Sequence, residues 1–341
     1  MRTQDFDYQL PSELIAQDPI EPRDSSRLLV IDRRKKINEH RRFRDFLSFL
    51  KAGDCLVVNE TKVIPARLLG CKTGSSGQVE ILLVTPLADG SWEALVKPGR
   101  RLPPGSAVEF TPPVLKAVVR EKLSGGRRRV EFSYDGDFRA ALGKVGLVPL
   151  PPYITKPLRN KERYQTVFAV REGSVAAPTA GLHFTKGSLK KALDKGVCVA
   201  SIDLTVGPGT FQPVRAKNVE EHEMHSERFE LPSDAAGVIN GTREAGGRIV
   251  AVGTTSVRVL ETMARRDGFL RAGAGATDLF IYPGYKFKAV DAMITNFHLP
   301  KSTLLMLVCA YAGRERILKA YEEAVQERYR FFSFGDAMLI I

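Results

Sequence analysis

Histidine is the side chain best suited to exchange a proton near neutral pH, and this sequence holds five. Four of them stand in polar segments that carry glycine, proline or paired acids. His183 lies in Ala177-Pro-Thr-Ala-Gly-Leu-His-Phe-Thr185, and His298 lies in Thr295-Asn-Phe-His-Leu-Pro300. His222 and His225 share Glu220-Glu-His-Glu-Met-His-Ser-Glu227. These are general acid/base candidates, although for any one of them alone a histidine that ties a loop to its neighbour is the commoner role. His222 and His225 also have a metal-ligand look. A catalytic zinc site needs a third ligand and a recognisable helix motif, which this segment lacks, so no metal is expected. The glutamates around them read as a solvated acidic face.

A different chemistry is suggested by Arg248-Ile-Val-Ala-Val-Gly-Thr-Thr-Ser-Val-Arg258, where a strand ends at Gly253 and three hydroxyl residues lead into a helix. Such a junction offers unpaired N–H groups and partial positive charge to a phosphate or carboxylate. Simple N-capping by Thr254, Thr255 or Ser256 accounts for the same residues equally well. Val206-Gly-Pro-Gly-Thr-Phe-Gln-Pro213 is a second glycine loop, matching neither the dinucleotide fingerprint nor the P-loop. A nucleophile elbow and the kinase motifs are also missing.

The formal net charge of +12 favours polyanionic partners. Basic groups recur at Arg33–Lys36, at Arg41, Arg42 and Arg44, at Arg127–Arg129, and at Lys156, Arg159, Lys161 and Arg163. Tyr153, Tyr164, Phe184 and Phe211 are aromatics that could stack an unpaired base, with core packing as their ordinary fate. Four scattered cysteines form neither a disulfide framework nor a zinc site. The first residues lack the apolar core of a signal peptide, and the longest apolar run, Leu304 to Ala312, is too short to span a bilayer. A cytoplasmic protein without membrane contact is the expectation.

The elements that must position these residues fall into two textures. Leu28–Ile31 and Cys55–Val58 read as strands around a short helix, Phe43–Leu50. From Arg67 onward, short strand-like runs alternate with the turn signals Ala88-Asp-Gly90, Pro103-Pro-Gly105 and Ser124-Gly-Gly126, which predicts a small all-β barrel or sandwich. The proline-rich Pro149–Pro157 segment closes that region. Beyond it the α/β texture returns. Helices are expected over Ser188–Lys195, Asp234–Ala245, Ser256–Arg266, Thr303–Ala312 (capped by Ser302) and Glu315–Arg328. Strands are expected at Val197–Ile202, Arg248–Gly253 and Leu279–Tyr282. The predicted architecture is a discontinuous α/β domain, residues 1–66 and 150–341, interrupted by a β-barrel domain over residues 67–149.

Taken together and in order, the motifs resemble one family. They are Phe6-Asp-Tyr-Gln-Leu-Pro-Ser-Glu-Leu-Ile-Ala-Gln17, Glu21-Pro-Arg-Asp-Ser-Ser-Arg-Leu-Leu29, Asn59-Glu-Thr-Lys-Val-Ile-Pro-Ala-Arg67 and Tyr164-Gln-Thr-Val-Phe168. They continue with Ala176–Thr185, Gly253–Arg258, Thr277-Asp-Leu-Phe-Ile-Tyr-Pro-Gly284, Thr295–Pro300 and Ser333-Phe-Gly-Asp-Ala-Met-Leu-Ile340. The chain is similar to the S-adenosylmethionine:tRNA ribosyltransferase-isomerases of queuosine biosynthesis over essentially its whole length.

That resemblance implies transfer and isomerisation of the ribosyl part of S-adenosylmethionine onto 7-aminomethyl-7-deazaguanine at the tRNA wobble position. Epoxyqueuosine forms, and adenine and methionine leave. It implies a monomer acting on tRNA with a GUN anticodon, with S-adenosylmethionine as a consumed substrate and no other cofactor. Such chemistry needs a base for the acidified C5′–H beside the sulfonium, a proton donor for adenine and a proton acceptor for the aminomethyl group. His183, His225 and His298 are assigned these steps, with Glu60 as an alternative base. Thr254, Thr255 and Ser256, following Gly253, are assigned to the methionine carboxylate. Arg27, Asn59, Arg258, Tyr282 and Asn296, all within the matched motifs, are assigned to substrate binding.

Two positions depart from the family pattern: Thr205 stands where histidine is usual, and Ala276 where tryptophan is usual. Two other classes remain in competition. A methyltransferase acting on RNA predicts a glycine-rich loop after the first strand, which the N-terminal region lacks. A non-catalytic RNA-binding adaptor predicts polar motifs confined to basic surfaces.

Overall fold

The computed structural model describes residues 1–341 other than Lys36, Ser76 and Gln212. The Lys36 member of one basic cluster, and the side chain of Phe211, thus lie outside the described residues. The chain divides into two compact units, Met1–Lys62 with Pro151–Ile341, and Val63–Leu150.

The first unit is built on a nine-stranded sheet. Its spatial order is Gly273–Thr277, Glu227–Leu231, Cys198–Leu204, Cys55–Asn59, Ile249–Val252, Ala292–Asn296, Ala337–Ile340, Arg27–Ile31 and Glu39–Arg42. The four strands from Cys198–Leu204 to Ala292–Asn296 run parallel. Alternation across the pleat splits their apolar residues between two layers. Cys55, Val57, Ile249, Ala251 and Met293 face the helices Ser233–Glu244, Thr254–Met263, Thr303–Ala312 and Arg314–Gln326. Leu56, Val58, Val250, Val252 and Ile294 face Phe43, Phe46, Phe184 and Ala192. The sheet therefore lies between two apolar layers, which is the α/β arrangement expected.

Val63–Leu150 holds a closed six-stranded barrel. Its strands follow one another as Arg67–Lys72, Gln78–Pro86, Trp92–Lys97, Arg127–Tyr134, Leu115–Lys122 and Ala107–Phe110, and the last pairs back onto the first. At that closure a Cβ on Gly70 would stand 2.5 Å from the Glu109 carbonyl oxygen, so only glycine lets the two strands meet. Leu68, Ile81, Leu83, Ala94, Val119 and Val130 are fully buried. The helix Phe138–Val145, capped by the Asp137 side chain, was not foreseen in this all-β stretch.

Two local expectations change. Phe43–Phe49 forms a 3-10 helix rather than an α-helix. The segment Leu279–Tyr282 is not a strand; Gly273–Thr277 takes that place instead. The backbone of Leu279 is already engaged, its carbonyl by Arg258 Nε at 3.1 Å and its N–H by Thr277 Oγ1 at 3.2 Å. Among the described residues no helix is long and apolar enough to cross a membrane.

Candidate active site

The carboxyl ends of the parallel strands lie on one edge of the sheet, and the registers show what joins them there. Asn59, Leu204, Val252 and Asn296 end the four parallel strands; Glu227 begins a neighbouring strand, while Asp336 and Ser26 immediately precede two others. In an open α/β sheet this edge is where ligands bind. Residues of several matched motifs that are scattered in the sequence meet there: Ser26, Asn59, Gly253, Asn296 and Asp336.

At its middle, Gly253 adopts φ 87° and ψ 153°, and the helix Thr254–Met263 starts without a side-chain cap. The first-turn N–H groups, which an α-helix cannot satisfy internally, therefore face the edge with the positive end of the helix dipole. Ser256 Oγ donates back to the Val252 carbonyl at 2.8 Å, while Thr255 Oγ1 is buried without a hydrogen-bond partner. Neither hydroxyl caps the helix, which removes the simple N-cap explanation of these residues. Because a side chain is strained at that φ and ψ, Gly253→Ala is expected to cost about 1–3 kcal/mol of stability, read by urea denaturation. A loss below about 0.5 kcal/mol would show that the junction relaxes freely.

Asn296 organises the next part. Its Nδ2 donates to the Phe332 carbonyl at 3.2 Å, which fixes the amide orientation, and also to His183 Nε2 at 3.1 Å; its Oδ1 accepts from Thr179 Oγ1 at 2.9 Å. His183 must then carry its proton on Nδ1 and donate it to Ser26 Oγ at 2.8 Å. The ring stacks on Phe43 and is 5% exposed. Burial, with smaller effects from Arg330, Arg163 and Arg23, pulls its pKa down to about 3. His183 is thus a neutral imidazole with both nitrogens occupied, a geometry that positions Asn296 and Ser26.

His298 is similarly enclosed. Its Nε2 bonds Thr295 Oγ1 at 2.9 Å, its N–H donates to the Tyr321 hydroxyl, and its carbonyl accepts from Tyr8. Burial draws this imidazole to about 3 as well. His225 differs in being exposed, and it lies against the 206–211 loop. A Cβ on Gly209 would come within 2.4 Å of His225 Cδ2, so this glycine exists for close approach. Nearby, His222 packs edge-on against Phe280, which touches Tyr282; burial and the neighbouring His225 lower the pKa of His222.

The remaining assigned residues divide by how many donors they keep. Asn59 spends its amide on the Leu204 carbonyl and on the N–H groups of Leu204 and Thr61, so it clamps two strand ends together. Arg27 lies over the Tyr329 ring at 3.7 Å and donates to the Glu327 carbonyl. Glu60 pairs with Arg171 Nε at 2.9 Å, and Arg171 also pairs with Glu230. Between those two acids Asp203 is held above the usual carboxylate range by burial. Arg258 forms a buried ion pair with Glu227 and donates to the carbonyls of Leu279 and Thr277. Glu227 also accepts from Gly207 N–H at 3.0 Å and Thr210 Oγ1 at 3.3 Å.

Glu227 is therefore no part of a solvated acidic face. Its burial depends on Arg258, 31 residues away, and nothing local in the sequence signals it. Ser26 and Asp336 were also missed; Asp336 accepts the N–H groups of Arg27 and Arg330. Tyr164 and Phe184 are fully buried and cannot stack a base. Among the described residues no group of three or more His, Cys, Asp and Glu side chains is placed to hold a metal ion.

The fold and this edge define an α/β protein with an inserted closed barrel and a cluster of polar residues at the strand ends. The family model for queuosine biosynthesis proteins matches residues 3–340, and the chain belongs to that family. It is 54% identical over 340 residues to an S-adenosylmethionine:tRNA ribosyltransferase-isomerase of Acetivibrio thermocellus, and 56% identical over 342 residues to one of Moorella thermoacetica. Both alignments cover 100% of each chain. A crystal structure of S-adenosylmethionine tRNA ribosyltransferase from Thermotoga maritima is similar at TM-score 0.58 and 42% identity, covering 99% of this chain and 100% of that one.

Proposed function

We propose that the protein transfers and isomerises the ribosyl moiety of S-adenosylmethionine onto 7-aminomethyl-7-deazaguanine at the wobble position of tRNA. The products are epoxyqueuosine-tRNA, adenine and methionine. The observation that carries this reading is family membership over residues 3–340, with residues of several family motifs meeting at the carboxyl ends of the parallel strands. The tRNA carries a GUN anticodon, the enzyme works as a cytoplasmic monomer, and S-adenosylmethionine is consumed without a further cofactor.

In this reading the methionine carboxylate sits on the N–H groups of Thr254, Thr255 and Ser256, where Thr255 Oγ1 gains a partner. The sulfonium stabilises negative charge on the adjacent ribose carbon, so its proton needs a positioned acceptor. His225 is the assigned histidine that keeps an exposed ring, and it takes that proton or the one from the attacking amine. Glu60, held by Arg171, is the alternative acceptor. His183 positions Asn296, which orients the nucleoside, and His298 fixes the Thr295–Pro300 turn that carries Asn296. Arg258 acts through Glu227 on the 207–210 loop, and Arg27, Asn59 and Tyr282 shape the rim of the site.

Nucleoside mass spectrometry of tRNA bearing 7-aminomethyl-7-deazaguanine, incubated with this protein and S-adenosylmethionine, tests the reaction. Epoxyqueuosine with matching release of adenine is expected, and it would show that histidine at position 205 is dispensable. Unchanged substrate beside a folded protein that S-adenosylmethionine stabilises would assign Thr205 and Ala276 to a diverged activity. A methylated nucleoside would hand the chain to the methyltransferase class.

A further inference from the structure

Among the described residues, Arg163 Nη1, Thr166 Oγ1 and Arg330 Nε are buried and lack a hydrogen bond, while Arg163 Nε pairs with the Glu21 carboxylate. Thr166 and Arg23 border the Thr179–His183 turn. Thr166 Cγ2 lies 2.8 Å from where a Cβ on Gly181 would stand, and Arg23 Nη1 reaches the Leu182 carbonyl at 3.5 Å. Arg163 is only 9% exposed.

The guanidiniums here are held mainly by neutral acceptors. Arg23 donates to the carbonyls of Gln165 and Glu162, Arg163 to that of Ile20, and Arg330 to that of Phe334. The carboxylate that pairs with Arg163 belongs to Glu21, which is largely exposed. Asp336, near Arg330, already accepts two backbone N–H groups. Burial depresses both Arg23 and Arg163, and all three arginines help keep His183 neutral. Three partly buried positive charges, two of them with a spare buried donor on Arg163 and Arg330, are costly unless an anion joins them. The arginine fork suits a phosphate or a carboxylate equally. Exposed Lys156, Arg159 and Lys161 lead along the chain into Arg163, a track that fits a polymer of phosphates.

We propose that Arg23, Arg163 and Arg330 form an oxyanion pocket beside His183 that takes a backbone phosphodiester of the bound RNA, displacing Glu21 from Arg163. This rests on RNA being the substrate, as proposed above. The competing source of the same chemistry is the carboxylate of S-adenosylmethionine.

Fluorescence anisotropy with a labelled anticodon stem-loop lacking the modified base separates the two, because it needs no turnover. Arg163→Met is expected to weaken RNA binding about tenfold and to lower the slope of log Kd against log salt by about one. Glu21→Gln, an exposed change, is expected to tighten RNA binding about threefold by removing the competing carboxylate. Thermal stabilisation by S-adenosylmethionine should stay at its wild-type value in both. Unchanged RNA affinity and slope in both variants would overturn the proposal. So would loss of stabilisation by S-adenosylmethionine with RNA binding intact, which would give the pocket to the carboxylate. If Arg163→Met does not fold, Glu21→Gln decides alone. Failure of ribosyl transfer in the mass-spectrometric assay leaves this binding test standing.

Discussion

Between pH 7 and pH 5 the two enclosed histidines, His183 and His298, should together remove about 4 kcal/mol from the folding free energy. Both imidazoles are pulled by burial from 6.5 to about 3 in the folded protein, whereas in the unfolded chain they titrate normally. Below pH 6.5 the unfolded chain therefore binds more protons than the folded one, so stability falls as pH falls, down to about pH 3. Each contributes about 2 kcal/mol over the pH 7 to 5 interval. Asp203 and Asp336, raised by burial, slope the other way, so the histidine effect must be read by difference. Urea denaturation of wild type and His298→Gln at pH 7, 6 and 5 provides it. The variant should start less stable but lose about 2 kcal/mol less on acidification. Parallel curves would show that His298 is not held neutral.

The second large effect concerns Arg258 and Glu227. The helix Thr254–Met263, the Thr277–Leu279 segment and the 207–210 loop all meet on this pair. Removing one partner leaves the other charge buried and alone, so Arg258→Met and Glu227→Gln should each cost about 3–5 kcal/mol. The double variant, with no isolated charge, should recover a large part of that loss. If the single variants each lose less than 1 kcal/mol, or the double loses their sum, the pair is not coupled as described. Glu227→Gln should also raise KM for S-adenosylmethionine more than it lowers kcat, because it frees a loop rather than removing a reacting group.

The contrast between these sites shows what a linear sequence carries. Helix Arg314–Gln326 was legible because its apolar residues recur at helical spacing, and Thr303–Ala312, apolar nearly all round, through the Ser302 cap that opens it. The barrel announced itself through turn residues between short alternating strands. The strand Ala292–Asn296 did not: it is buried on both faces like Cys55–Asn59, but its Ala-Met start carries no strand preference. Gly273–Thr277, nearly all small residues, becomes a strand only because Glu227–Leu231 offers it a ladder. At the site, Gly253–Ser256 could be read because strand, glycine and hydroxyls are contiguous. Ser26, Glu227 and Asp336 could not, because each is defined by a partner far along the chain.

The pairing of Leu28 with Ala337 sets an order of events during synthesis. The strand Ala337–Ile340 lies between Arg27–Ile31 and Ala292–Asn296, so the large sheet stays in two pieces until those residues leave the ribosome. The barrel draws its strands from one continuous stretch and can close as soon as that stretch has emerged. From then until the last strand emerges, the nascent chain thus carries a finished barrel and an incomplete sheet with an open Arg27–Ile31 edge. That interval, in which an apolar strand waits about 300 residues for its partner, is when a holding chaperone would matter most.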